Sequence, residues 1–339
     1  MTRRAVIFGC SGPELTAPEA DLFRSTRPWG FVLFRRNVAS PGQLRQLIDS
    51  LRDSVGDPAA PVLVDQEGGR VQRLGPPHWP KYPPGRAYGE TAANPAERQD
   101  LAWLGARLMA SDLMAVGINV DCAPVLDVPA PGAHDVIGDR AYGASPEEVA
   151  ALGRAAAEGL LAGGVLPVIK HMPGHGRAMA DSHERLPVVS APPEALAGDF
   201  APFRACADLP AAMTAHVVYA AIDSERPATA SKAVIERAIR GDIGFRGLLL
   251  SDDLSMKALK GDFESRARVA LGAGCDIVLH CNGDMAEMHA VAAGARLLEG
   301  ASAERANAAL ARIAIGPRPF DAEAGRGRFA RAFEGQPAA

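Results

Sequence analysis

Residues 170–183 read KHMPGHGRAMADSH and put Lys170, His171, His175, Asp181 and His183 within fourteen positions, with two glycines and a proline among them. The whole chain has eight histidines, so three in one short loop is more than surface scatter. Two chemistries suit the set. His171, His175, Asp181 and His183 are all metal-ligand types, but the glycines and Pro173 break the helical spacing of a H-E-x-x-H site, and no early strand end carries an H-x-H pair. The alternative is proton transfer. In an extended segment, residues i and i+2 point the same way. Asp181 could then hold one imidazole nitrogen of His183, fix its tautomer and raise its basicity, leaving the other nitrogen to act as acid and base near neutral pH.

A proton shuttle needs a nucleophile. The stretch LLLSDDLSM (248–256) supplies Asp252 and Asp253 where an apolar run turns into a loop. Asp252 stands at the run's end, while Asp253 is equally suited to capping the next helix. VDQEGGRVQRL (64–74) offers Asp65 with Arg73 for hydroxyl recognition, and Arg70 as an ion-pair partner for Glu67. VIGDRAYG (136–143) sets Arg140 in a glycine-flanked turn. His216 reads equally as a core histidine with satisfied nitrogens, and Met256 as a core residue.

These groups follow a pattern of short apolar runs: 5–9, 30–34, 61–64, 118–121, 165–170, 211–217, 247–252 and 276–281. Between them lie helix-period stretches, including 40–55, 95–117, 145–164 and 284–300, several opened by Ser-Pro or Asp caps. Alternation of this kind gives a parallel sheet, and eight runs predict an α/β fold of the (β/α)8 TIM-barrel type. A doubly wound sheet is the alternative, but GCSGPE after the first run lacks the dinucleotide-binding glycine pattern. In a barrel, the polar residues after each run (Arg35, Arg36 and Asn37; Asp65, Gln66 and Glu67; Asp121; Lys170 and His171; His216; Asp252 and Asp253; His280 and Asn282) converge on one mouth. The expected organisation is one catalytic domain over residues 1–339, with 316–339 as a capping or frayed tail.

Of the 339 residues, 47% are hydrophobic and the net charge is −4. A large core is available, and no basic field exists to hold nucleic acid or an anionic membrane. MTRRAVIFGCSG reads as a strand rather than a signal segment, because its apolar run is too short. No run is long enough for a transmembrane helix. Cys10, Cys122, Cys206, Cys275 and Cys281 are odd in number and scattered, which suits reduced, buried thiols and a cytoplasmic protein.

Taken together, KHMPGHG…ADSH, DQEGGRVQR, GDRAYG and SDDLSM resemble the family 3 glycoside hydrolases, in particular their single-domain bacterial β-N-acetylglucosaminidases of cell-wall recycling. The similarity spans roughly residues 5–315. It implies Asp252 as nucleophile, His183 as general acid/base and Asp181 as its partner. It also implies that Asp65, Arg73, Arg140, Lys170 and His171 grip the hydroxyl and acetamido groups of a terminal N-acetylglucosamine. Met172 stands where phenylalanine is usual, and Ala141-Tyr142 where Ser-Phe is common; neither change removes a reacting group.

The implied reaction is retaining exo-hydrolysis of N-acetylglucosamine from peptidoglycan fragments through a covalent glycosyl-enzyme. It needs no metal and no organic cofactor. The expected partner is a small carbohydrate, with no nucleic acid and no membrane, and a monomer is the working expectation. Three rivals stay open: substrate-assisted hydrolysis on Asp252 and Asp253, phosphorolysis on the same site, and sugar binding by a decayed barrel.

Overall fold

Each apolar run forms a strand in the computed structural model, which describes residues 2–92, 94–179 and 186–334. The barrel strands are β1 (Arg4–Gly9), β2 (Pro28–Leu33), β3 (Val62–Val64), β4 (Val120–Asp121), β5 (Leu166–Met172), β6 (Ala211–Thr214), β7 (Leu248–Asp253) and β8 (Ile277–His280). They pair in parallel in chain order, and β8 returns to β1 to close the ring. Helices separate successive strands, among them Pro41–Val55, Pro95–Met114, Pro146–Ala162 and Phe263–Ala273. This is the (β/α)8 barrel expected from the sequence.

The caps work as their residue types require. Ser40 accepts from the Gln43 N–H while the Gln43 side chain returns a bond to the Ser40 N–H, and Pro41 takes the first helical position. Ser145, Asn94 and Asp284 each cap the next helix through a side-chain oxygen.

Two elements are shorter than their apolar patterns. The stretch 284–300 splits into helices Met285–Gly294 and Gly300–Ala311. A side chain at Gly294 would strike the backbone of Glu264, and the chain beyond it pairs with β1 through Ala5 N–H to Arg296 O (2.9 Å) and Leu298 N–H to Arg3 O (2.8 Å). Likewise β6 ends at Thr214, and Val218–Tyr219 pairs outside the barrel with Val188–Val189.

Alternation along the strands sorts the core into two layers. Ile7, Val32, Leu63, Val168, Leu250 and Leu279 point inward and pack together, whereas Val6, Phe31, Val62, Ile169, Leu249 and Val278 face the helices. Trp29 joins Ala306 and Ala309 of Gly300–Ala311 against the inner cluster, closing the end of the barrel where the strands begin. Within 316–339, helix Ala322–Ala332 packs on Pro95–Met114: Phe329 lies 6.0 Å from the Tyr82 ring, and Arg326 binds Asp112. Among the described residues no helix is long and apolar enough to cross a membrane. All five cysteines are buried and none is in a disulfide.

Candidate active site

Counting two residues on from the inward apolar rung gives Asp65 just past β3, Lys170 on β5, Asp252 on β7 and Cys281 just past β8. All four line a pocket of about 150 Å³ at the C-terminal mouth of the barrel. Period-two alternation therefore continues from core to site. Val32, Met213 and Leu279 form the floor, and Phe34, Glu67, Arg73, Arg140, His171 and Met256 lie among the walls.

One wall is an unbroken chain of charges. Arg73 reaches Asp65 (2.9 Å), Asp65 reaches Lys170 Nζ (2.8 Å), and Lys170 reaches Glu67 (2.6 Å). Glu67 in turn accepts two parallel bonds from Arg140, Nε at 2.8 Å and a terminal nitrogen at 2.9 Å. Burial pushes the Asp65 carboxyl up, but Lys170 and Arg73 more than offset this and hold it well below the usual carboxylate range. Glu67 is lowered to about 2, burial being outweighed by Arg140 and Lys170. Burial alone would lower Lys170, yet Asp65 and Glu67 raise it above its ordinary value. All three are ionised at neutral pH, and the wall presents fixed N–H donors and carboxylate acceptors, the pair of functions that hydroxyl groups need.

One sequence expectation changes here. Glu67 pairs with Arg140 and Lys170, not with Arg70, which binds Asp139 (3.3 Å) and the carbonyls of Asp135 and Val136 (both 2.8 Å). The reason is direction: Glu67 faces the pocket beside Asp65, while Gly68 (φ 91°) and Gly69 (φ 56°) turn the chain so that Arg70 leaves it. Arg140, in its glycine-flanked turn, is not solvated: its side chain is 11% exposed.

The histidine loop is held from below. Asp127, fully buried, takes His171 Nδ1 at 2.7 Å and the backbone N–H of His175 at 2.6 Å. With Nδ1 engaged, Nε2 is the nitrogen His171 can offer to a ligand. Burial, then the neighbouring His171, lowers His175 to about 4 and keeps it neutral at pH 7. Tyr219 OH donates to Gly174 O (2.7 Å), and Arg177 binds Asp199 (2.6 Å). Asp181 and His183 lie outside the described residues. Of the four ligands in the metal reading, His171 and His175 line the pocket; among the described residues, no group of three or more His, Cys, Asp or Glu side chains is arranged to hold a metal ion.

The two adjacent aspartates differ. Asp253 accepts from Ser255 N–H (2.9 Å), the Ser255 hydroxyl and Cys281 N–H (3.1 Å), so its carboxylate ties β7 to the end of β8. His216 is the satisfied core histidine: its ring meets Thr229 Oγ1 (2.7 Å) and donates to Asp253 O (2.8 Å). Asp252 lines the pocket, with one oxygen accepting from the Asp253 N–H at 2.8 Å. Sequence reasoning missed Asp127, whose only signal is a lone charge within the apolar stretch 122–130, and gave Glu67 only the Arg70 pairing.

The N-terminal domain of glycosyl hydrolase family 3 matches residues 21–315. The chain belongs to glycosyl hydrolase family 3. It is a glycoside hydrolase. A β-hexosaminidase of Alkalilimnicola ehrlichii is 42% identical over 282 residues, covering 82% of this chain and 80% of that protein. Among solved structures, NagZ from Neisseria gonorrhoeae in complex with N-trifluoroacetyl-D-glucosamine is similar over 98% of both chains, with 31% identity and a TM-score of 0.85. A family 3 β-N-acetylglucosaminidase from Paenibacillus sp. str. FPU-7 is 31% identical with a TM-score of 0.79, covering 99% of this chain and 63% of that one.

Proposed function

We propose that this family 3 hydrolase is a retaining exo-β-N-acetylglucosaminidase that removes non-reducing terminal N-acetylglucosamine from peptidoglycan fragments in the cytoplasm. It acts as a monomeric, single-domain enzyme. The observation that carries the reading is the placement of Asp252 in one small pocket with the Arg73–Asp65–Lys170–Glu67–Arg140 wall. A space of about 150 Å³ is below the range of roughly 300 Å³ and upward that drug-sized ligands occupy, which suits one terminal sugar ring. The relatives named as acting on N-acetylglucosaminides support the acetamido sugar.

In this mechanism Asp252 attacks the anomeric carbon and His183, oriented by Asp181, protonates the departing oxygen. A covalent glycosyl-enzyme forms. His183 then takes a proton from water, which releases the sugar with its configuration retained. Asp65, Arg73, Arg140, Lys170 and His171 hold the hydroxyl and acetamido groups. No step uses a metal ion or an organic cofactor. Asp253, with its carboxylate already bonded to Ser255 and Cys281, is poorly placed to orient an acetamido nucleophile, and this favours the covalent route over substrate assistance.

Incubation with a 5-fluoro N-acetylglucosamine-type inactivator, followed by peptide mass spectrometry, tests the reading. A single labelled peptide with the sugar on Asp252 is expected. Time-dependent inactivation with the label elsewhere, or turnover with no covalent species and an oxazoline intermediate, overturns it.

A further inference from the structure

Between Asp65 and Glu67, which face the pocket, Gln66 is fully buried and points away from it. Its side-chain Oε1 accepts from the N–H groups of Arg73 (3.1 Å) and Leu74 (3.0 Å), while Nε2 donates to Leu74 O (2.8 Å). The amide thereby imitates one more backbone residue of the hairpin in which Gln66 pairs with Gln72. On its other side the Gln66 main-chain N–H donates to Asp121 Oδ1 at 2.9 Å. The contacts form a closed circuit: Arg73 is tied at its backbone to Gln66 and at its guanidinium to Asp65, the residue before Gln66 (2.9 Å).

We infer that Gln66 is a positioning residue for sugar binding, one that sets Arg73 against Asp65 while never touching substrate; this rests on the reading of Asp65 and Arg73 as sugar contacts. A glutamine is required chemically. At neutral pH, a side chain of this reach that accepts from two N–H groups and also donates to a carbonyl is an amide. A shorter asparagine does not span the gap, and a methionine of similar length leaves two buried N–H groups without their acceptor.

The defect of a loosened Arg73–Asp65 pair falls on binding of the sugar in both ground and transition states. It appears in KM rather than kcat. The test is steady-state kinetics of the full-length protein on an aryl N-acetyl-β-glucosaminide. Gln66→Met is expected to raise KM about tenfold to a hundredfold, the scale of one or two charge-assisted hydrogen bonds, with kcat within about fivefold of wild type. Gln66→Glu keeps both acceptor bonds and lacks the donor only while ionised. Its KM relative to wild type is expected to fall as pH is lowered towards ~5, where a protonated carboxyl again donates to Leu74 O.

A double-mutant cycle separates the possible failures. In an Arg73→Ala background, Gln66→Met is expected to add less than about twofold to KM, because the group it positions is gone. If Gln66→Met adds its full factor there, or if kcat falls and KM does not move, the role of Gln66 is overturned while Arg73 keeps its own. If Arg73→Ala alone leaves KM unchanged, the sugar-contact reading of Arg73 is overturned and this inference with it. Should Gln66→Met fail to fold, the Gln66→Glu pH series and its cycle with Arg73→Ala carry the same decision.

Discussion

Glu67 and Arg140, 73 residues apart in sequence, meet through two parallel hydrogen bonds of 2.8 and 2.9 Å at the edge of the pocket. The carboxylate also holds Lys170 at 2.6 Å, so a single acid contacts two cations in a largely buried place, with Asp65 sharing Lys170. Glu67→Gln keeps the shape and removes the charge. Removing one partner of a buried ion pair commonly costs about 3–5 kcal/mol, and urea unfolding is expected to show a loss near the lower end, because the pocket gives Arg140 some contact with water. Arg140→Lys is not expected to be a mild change, since an ammonium does not reproduce the fork.

Asp252 and Asp253 differ in what they hold, and their variants should differ in kind. Asp252→Ala is expected to keep the fold and lose at least about three orders of magnitude in kcat, as for other members of a catalytic unit. Asp253→Ala removes the acceptor for Ser255 and Cys281 N–H groups and is expected to lower the unfolding midpoint. Thermal melts beside kcat values check this; the reverse pattern would exchange the two assignments.

Asp121 makes a prediction about pH. Its Oδ1 holds the Gln66 N–H, its Oδ2 has no hydrogen-bond partner among the described residues, and burial raises its carboxyl well above the ordinary value. The native protein therefore keeps the proton to higher pH than the unfolded chain, which releases it above pH ~3.9. A folded-state pKa raised in this way gives stability that is full below the unfolded value and is lost as pH rises towards the folded one. Asp121→Asn is neutral at every pH and keeps the acceptor. Relative to wild type it should gain stability in urea titrations as pH rises above about 4. A trend in the opposite direction means that Asp121 is ionised in the native state.

For His183 the readout is the leaving group. Protonating the departing oxygen matters most for a sugar alcohol and least for a nitrophenolate. His183→Ala is expected to slow the first step severely on a disaccharide and much less on the aryl glycoside. The second step then lacks its base, so the glycosyl-enzyme should accumulate and azide should restore turnover with a β-azide product. Asp181→Ala should move the same way by a smaller factor. Pre-steady-state kinetics showing equal loss on both substrates, with no azide rescue, would reduce His183 to a binding residue.

Features that depend on near neighbours were legible in the sequence. The apolar runs gave all eight strands, because a strand buried in a barrel needs only a few consecutive residues to declare itself. The polar residues that follow those runs also included Asp65, Lys170 and Asp252, which line the pocket. Asp127 was not legible, since its role lies in His171 and His175, 44 and 48 residues away. The Glu67–Arg140 fork was hidden for the same reason, and the nearer Arg70 was the natural but mistaken choice. The stretch 284–300 kept a helical pattern across Ala295–Glu299, where pairing with β1 overrides it. The histidine loop was conspicuous as a cluster, yet its support comes from Asp127, Asp199 and Tyr219 on three separate segments.

The inner apolar rung, backed at the far end by Trp29, Ala306 and Ala309, closes the barrel beneath the pocket, which among the described residues opens at the C-terminal mouth. On the proposed function, a sugar cut free there departs by the route along which the next substrate arrives. The two cannot pass each other, and the released monosaccharide occupies the very seat its successor needs. Product is therefore expected to compete with substrate, and progress curves to bend over while uncut substrate still remains.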